Sequence, residues 1–209
     1  DGPNRHWLGA VGRTRGLGSD VRWIKRGKIF DPAEHALPVA SIGFAQSPQT
    51  LVLDDRVRIY FSTRERDATG KYLSHPAFVD FDRGMKRILG VNQAPLIDLG
   101  GLGCFDEHGI FPMHVLDDGS RVLAYTTGWN RKVSVSADAA IGLAISHDRG
   151  LTFQRNGTGP VMAATLHEPC LVGDAFVIKV DDTYHMWYIF GLRWVRRAPG
   201  EAPDRVYKI

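Results

Sequence analysis

The chain has 209 residues, 44% of them apolar and 23% charged, with a formal net charge of +3, the composition of an ordinary globular domain. No apolar run reaches the length of a membrane-spanning helix, so no membrane span is expected, and two cysteines without a CxxC pair fit neither a disulfide scaffold nor a zinc site. The basic residues are scattered rather than gathered with aromatics into a stripe, which argues against nucleic acid as a partner.

Residues 1–20 are rich in glycine and arginine and show no period. They read as a flexible leader, which leaves residues 21–209 as the folded domain. Residues 22–31 look like an isolated outer strand of the kind that completes the last blade of a ring.

From Gln46 onward a repeat takes over. Three apolar runs end in paired aspartates, at Asp54-Asp55, Asp117-Asp118 and Asp181-Asp182, and the first aspartates stand 63 and 64 residues apart. Each pair is followed by a second apolar run carrying a tyrosine, at Tyr60, Tyr125 and Tyr188. Strand, acidic turn, strand is a hairpin signature. A third run closes on a polar turn with glycine, at 77–84 and again at 142–150, and a fourth leads to Ala94-Pro95 and Gly159-Pro160. Residues 205–209 read as the third strand of the third block.

Four short strands per repeat describe a propeller blade. The expected fold is therefore all-β, a β-propeller of four-stranded blades of which this chain covers about two and a half. A ring of about five blades at this period needs ~320 residues, so the sequence reads as a C-terminally shortened piece. Trp187, inside a strand, is expected in the core. Cys104 and Cys170 are expected as free buried thiols, and the location as cytoplasmic.

In a propeller the first strand of each blade lines the central channel, and the loops before it crowd the channel mouth. Those loops are residues 44–48, 104–112 and 166–174. They hold four carboxylates, Asp106, Glu107, Glu168 and Asp174, which are the catalytic candidates. Cleaving a glycosidic bond needs two such groups, one protonated to release the leaving oxygen and one ionised to activate water or attack the sugar. Gln46, Ser47, Arg64, Arg66, His108, Trp129, Asn130, Lys132 and His167 are the candidate substrate contacts. An indole can stack on the C–H face of a sugar ring, and arginines suit an anionic sugar or phosphate. No metal and no cofactor are expected.

Residues 44–48, 58–64, 105–112, 125–130, 140–146 and 185–188 resemble the five-bladed propeller glycosidase superfamily, which includes glycoside hydrolase families 32, 43, 68 and 130. Within it, the chain is similar to glycosidase-like proteins of bacterial surface-polysaccharide gene clusters. The resemblance implies a carbohydrate-active enzyme, hydrolase-like, acting on an oligosaccharide or polysaccharide at the bacterial surface or on its precursor. Family 43 enzymes usually carry an acid before proline at the first blade, where this chain has Gln46-Ser47-Pro48. The resemblance places Asp106 or Glu107 as the second-blade acid and Glu168 as the available general acid. The missing first-blade acid leaves two alternatives, a non-catalytic glycan-binding propeller and a phosphorylase that uses phosphate as nucleophile.

Overall fold

Each Asp-Asp turn folds the chain back on itself, and the alternating runs on either side pair as antiparallel strands. The computed structural model describes residues 22–209. The first sheet is a meander of β1 (Gln46–Val52), β2 (Arg56–Arg66), β3 (Tyr72–Asp82) and β4 (Ile88–Val91). The second repeats it with β5 (Gly109–Asp117), β6 (Val122–Arg131), β7 (Ala137–Ser146) and β8 (Gln154–Arg155). The third has β9 (Val172–Val180), β10 (Thr183–Val195) and β11 (Asp204–Lys208), in the order β11-β10-β9. One parallel bridge, Ser74 to Gly109, joins β3 to β5 and makes the first two meanders a continuous sheet. A 3-10 turn at Pro32–Glu34 is the one helical element among the described residues.

The chain divides into Asp1–Phe30 and Asp31–Ile209, and all the strands lie in the second unit. The outer strand expected over 22–31 is absent, because a strand needs a neighbour for its backbone N–H and C=O groups and none of the described strands pairs with this segment.

The core lies between the sheets. Leu51, Tyr60 and Phe78 of the first pack against Ile110, Met113, Val115 and Phe153 of the second repeat. Burying side chains of this size contributes about 1.5–3 kcal/mol each. The Tyr60 hydroxyl donates to the Gly150 carbonyl at 2.7 Å. Gly150 has φ +79°, and a Cβ there would fall 2.1 Å from that hydroxyl, so the contact requires glycine. A smaller cluster, Ile141, Val172 and Ala175, joins the second sheet to the third.

The outer face of the third sheet differs from expectation. Trp187 is 47% exposed, beside Phe176, because no further sheet among the described residues covers it. Cys104 and Cys170 are free but only partly buried.

His114 ties the innermost strands of all three sheets together. From β5 its Nε2 donates to the Val177 carbonyl of β9 at 2.9 Å, and its Nδ1 lies 3.1 Å from the Gln49 amide of β1. Phe176 packs on the ring at 4.9 Å. A carbonyl only accepts, so Nε2 carries the proton. Burial is the larger influence and pushes the imidazole pKa below its ordinary 6.5, with the Val177 carbonyl opposing. The neutral ring then accepts at Nδ1, from a Gln49 amide turned to present its NH2. Since the unfolded chain takes up this proton first, stability should be full above pH 6.5 and fall as pH drops from there towards the lower folded value. Chemical denaturation midpoints between neutral pH and about pH 5 should show this slope. His114→Gln should be less stable at neutral pH and should flatten the slope; an unchanged slope would remove His114 as its source.

Candidate functional site

All three innermost strands break register just after they begin. Bulges fall between Gln46 and Gln49 in β1, between Ile110 and Met113 in β5, and opposite Trp187–Ile189 in β9. In the first and third, Ser47 and Asp174 adopt left-handed backbone, φ 51° and 52°. An extra residue bends the strand and re-aims its side chains. In β5 and β9 the bent strand starts lie beside one cavity.

That cavity has a volume of about 380 Å³ and takes its walls from all three sheets. Arg64 comes from β2, Phe111 from β5, Thr127 and Trp129 from β6, and Asp138 from β7. Asp174 comes from β9, and Arg205 and Tyr207 from β11. A cleft of about 400 Å³ on the first sheet is lined by Arg56, Arg58 and Asp80. Its charges already satisfy one another, with Arg58 Nε 2.8 Å from Asp80 and Arg56 3.1 Å away.

Asp174 is held from below. Its N–H donates to Thr127 Oγ1 at 2.7 Å, and a Cβ on the preceding Gly173 would lie 2.6 Å from Thr127 Cγ2, so glycine permits the approach. Asp174 is an exposed residue, and only partial burial against the cavity wall takes water from its carboxyl. This desolvation raises its pKa above the ordinary 3.8, while Arg205 pulls the other way. The second carboxylate, Asp138, has a different setting: it is ion-paired to Lys132 at 3.2 Å and accepts from the Ala139 N–H at 3.0 Å. One cavity thus holds a carboxyl that resists ionisation and a carboxylate with a cation beside it.

The indole of Trp129 forms another wall. It sits over Gly109, where a Cβ would come within 2.3 Å of Nε1. His108 stacks behind it, rings 6.0 Å apart and 29° from parallel. Arg64 donates through Nε to Gln46 Oε1 at 3.0 Å, and the rings of Phe44, Tyr72 and Phe111 surround its guanidinium at 5.5, 5.3 and 5.7 Å.

Of the sequence candidates, then, the structure brings Arg64, Trp129 and Asp174 to the cavity wall, with Gln46, His108 and Lys132 behind them. Asp106 is elsewhere: it is fully buried, with Oδ2 paired to Arg155 and Oδ1 without a partner. Glu107 accepts from the Gly103 N–H at 3.0 Å and lies 4.0 Å from His108, bracing its own loop. Glu168 accepts from the Tyr188 hydroxyl at 2.7 Å, outside the cavity lining. Arg66 bonds Gly70 and Tyr72 in an exposed hairpin, His167 is exposed, and Asn130 is half-buried in β6 with its amide oxygen unpartnered. Asp138, Arg205 and Tyr207 were not singled out from sequence. They lie on third strands, whereas the candidates were sought in loops before first strands and after second ones. Among the described residues no group of three or more metal-ligating side chains converges, and no helix is long and apolar enough to cross a membrane.

No family model matches the chain. Over 186 residues it is 34% identical to MT1551 and to Rv1502, two uncharacterized proteins of Mycobacterium tuberculosis. The match takes in 89% of this chain and 59% of either relative, so the chain spans less than two thirds of their length. Among solved structures it is similar to a glycoside hydrolase with TM-score 0.54 at 14% identity, over 77% of this chain and 51% of that one. It is similar to the GH32 beta-fructofuranosidase BmSUC1 of Bombyx mori, with TM-score 0.53 at 11% identity over 82% and 34% of the two chains. It is also similar to Zg3597, a family 117 glycoside hydrolase of Zobellia galactanivorans, with TM-score 0.51 at 16% identity over 82% and 48%. The fold is that of propeller glycoside hydrolases.

Proposed function

We propose that the protein is a carbohydrate-active enzyme of glycoside hydrolase type and that the cavity between the three blades is its sugar site. The observation that carries this is the presence of two carboxyl groups in different settings, Asp174 and Asp138, in one cavity lined by the Trp129 indole. A cavity carboxyl whose pKa is raised by desolvation, as that of Asp174 is, suits a proton donor. In this reading the glycan lies against Trp129. Asp174 gives its proton to the glycosidic oxygen as the C–O bond breaks and the electron pair leaves with that oxygen. Asp138 takes the proton of the attacking water or attacks the anomeric carbon itself, and the anomer first released tells which. Asp106 keeps a supporting place under the site, and Glu107 and Glu168 hold loops.

The resemblance to glycosidase-like proteins of surface-polysaccharide clusters supports a bacterial surface glycan or its precursor as substrate, handled in the cytoplasm. The blade repeat supports a five-bladed ring completed by chain outside these three blades.

A second reading, glycan binding without cleavage, is favoured by Gln46, an amide where related enzymes usually place an acid. A third, phosphorolysis, is favoured by the cationic corner at Arg64. Incubating the intact protein with a panel of bacterial oligosaccharides, with and without phosphate, and reading products by mass spectrometry separates the three. Shortened glycans in water are expected. A sugar phosphate formed only with added phosphate would establish the phosphorylase, and unchanged glycans that still raise the melting temperature would establish the binding module.

A further inference from the structure

We propose that the glycan bound in this cavity is anionic and that Arg64 seats its oxyanion. The proposal rests on the sugar-site reading above and adds a substrate class to it. Among the described residues, the buried or partly buried arginines Arg56, Arg58, Arg131 and Arg155 each hold an aspartate: Asp80 for the first two, Asp67 and Asp106 for the others. Arg64 is partly buried too, yet no carboxylate among the described residues pairs with it. Its Nε is spent on Gln46, a neutral amide of nearly the size and shape of glutamate. The neighbouring Glu65 faces the other side of β2 and is taken up by His75 Nε2 at 2.9 Å and the Ala40 N–H at 3.3 Å.

A guanidinium stripped of part of its water needs a counter-charge. The aromatic cage of Phe44, Tyr72 and Phe111 compensates only in part. Arg64 lines the cavity, and with Nε bonded to Gln46 its two terminal nitrogens are the planar fork that fits a carboxylate or phosphoryl group bidentately. The rest of the lining does not cancel this charge: Asp138 is matched by Lys132, and Arg205 adds a second cation beside Asp174. The cavity is therefore a positive site with one apolar indole wall, which fits a sugar ring bearing a carboxylate, or a phosphate ester on the ring.

The test uses the intact protein, its Arg64→Gln and Arg64→Lys variants, and calorimetric titration with three probes: a uronic-acid oligosaccharide, its carboxyl-reduced neutral counterpart, and a hexose phosphate. An anionic probe should bind at least about ten-fold tighter than the neutral one, the worth of a charged hydrogen-bond pair. Arg64→Gln should erase that preference, with melting temperatures confirming that each variant tested is folded. Arg64→Lys should keep part of it, since the charge stays but the fork is lost. The better of the two anionic probes identifies the oxyanion as carboxylate or phosphoryl. Equal binding of neutral and anionic probes, or a preference that survives Arg64→Gln, would overturn the anionic class while the sugar site stands. No binding of any probe would overturn the sugar-site reading and this inference with it.

Discussion

Asp174→Asn is expected to slow glycan turnover by about 10²–10⁴-fold, the usual contribution of a positioned acid, without lowering the melting temperature. The asparagine keeps the shape and tolerates the left-handed backbone at φ 52°, so the Thr127 contact to the backbone N–H survives. What it loses is the transferable proton. The stability sign follows from the raised pKa. Between the ordinary 3.8 and the higher folded value, the folded chain binds more protons than the unfolded one, so Asp174 makes the protein less stable as pH rises through that window. A neutral amide removes this penalty, and the variant should melt at the same temperature as the parent or slightly above it. Such a trade of stability for function is common at active sites. The wild-type rate should fall on the alkaline side as Asp174 deprotonates, and the variant should lose that limb of its pH profile. A variant that keeps the wild-type rate would remove Asp174 from the chemistry, and one that melts far lower would make its role structural.

The strand framework was legible because it is written in local patterns. Alternation, the Asp-Asp turns and the 63- and 64-residue spacing predict three hairpins, and β1–β2, β5–β6 and β9–β10 form there. The site was less legible because it depends on direction. Asp106 and Asp174 both stand before or at the start of a first strand, and nothing local says which points inward. Long-range partners decide it. Arg155, 49 residues away, takes Asp106 into the interior, whereas the bulge in β9 turns Asp174 into the cavity. A faint signal for Asp106 existed in the glycines around it. Gly100 and Gly128 leave room for that carboxyl, with a Cβ falling 2.2 Å from Oδ1 at the one and 2.4 Å from Cβ at the other. Asp138 lies in β7, a third strand, outside the loops before first strands and after second strands where the candidates stand. Only the third-sheet wall built by β9 and β11 makes it part of a site.

Replacing Asp106 should act on folding rather than on chemistry. Asp106→Asn is nearly isosteric, so packing between Gly100 and Gly128 is kept and the charge alone is removed. Arg155, whose side chain is only 24% exposed, is then left with the Asp98 carbonyl and no counter-ion. Removing one partner of a buried pair costs about 3–5 kcal/mol, because the other charge stays desolvated. For a chain of this size the melting temperature should drop by ~6–20 °C. Adding Arg155→Met should recover part of the loss, since two neutral side chains carry no uncompensated charge, and the double-mutant cycle should show strong coupling. These outcomes separate the two carboxylates cleanly. Loss of activity at unchanged melting temperature is expected for Asp174→Asn, and loss of stability, with activity retained by the molecules that remain folded, for Asp106→Asn. The reverse pattern at Asp106 would return it to the catalytic pair and mean that its buried pairing with Arg155 opens when sugar binds.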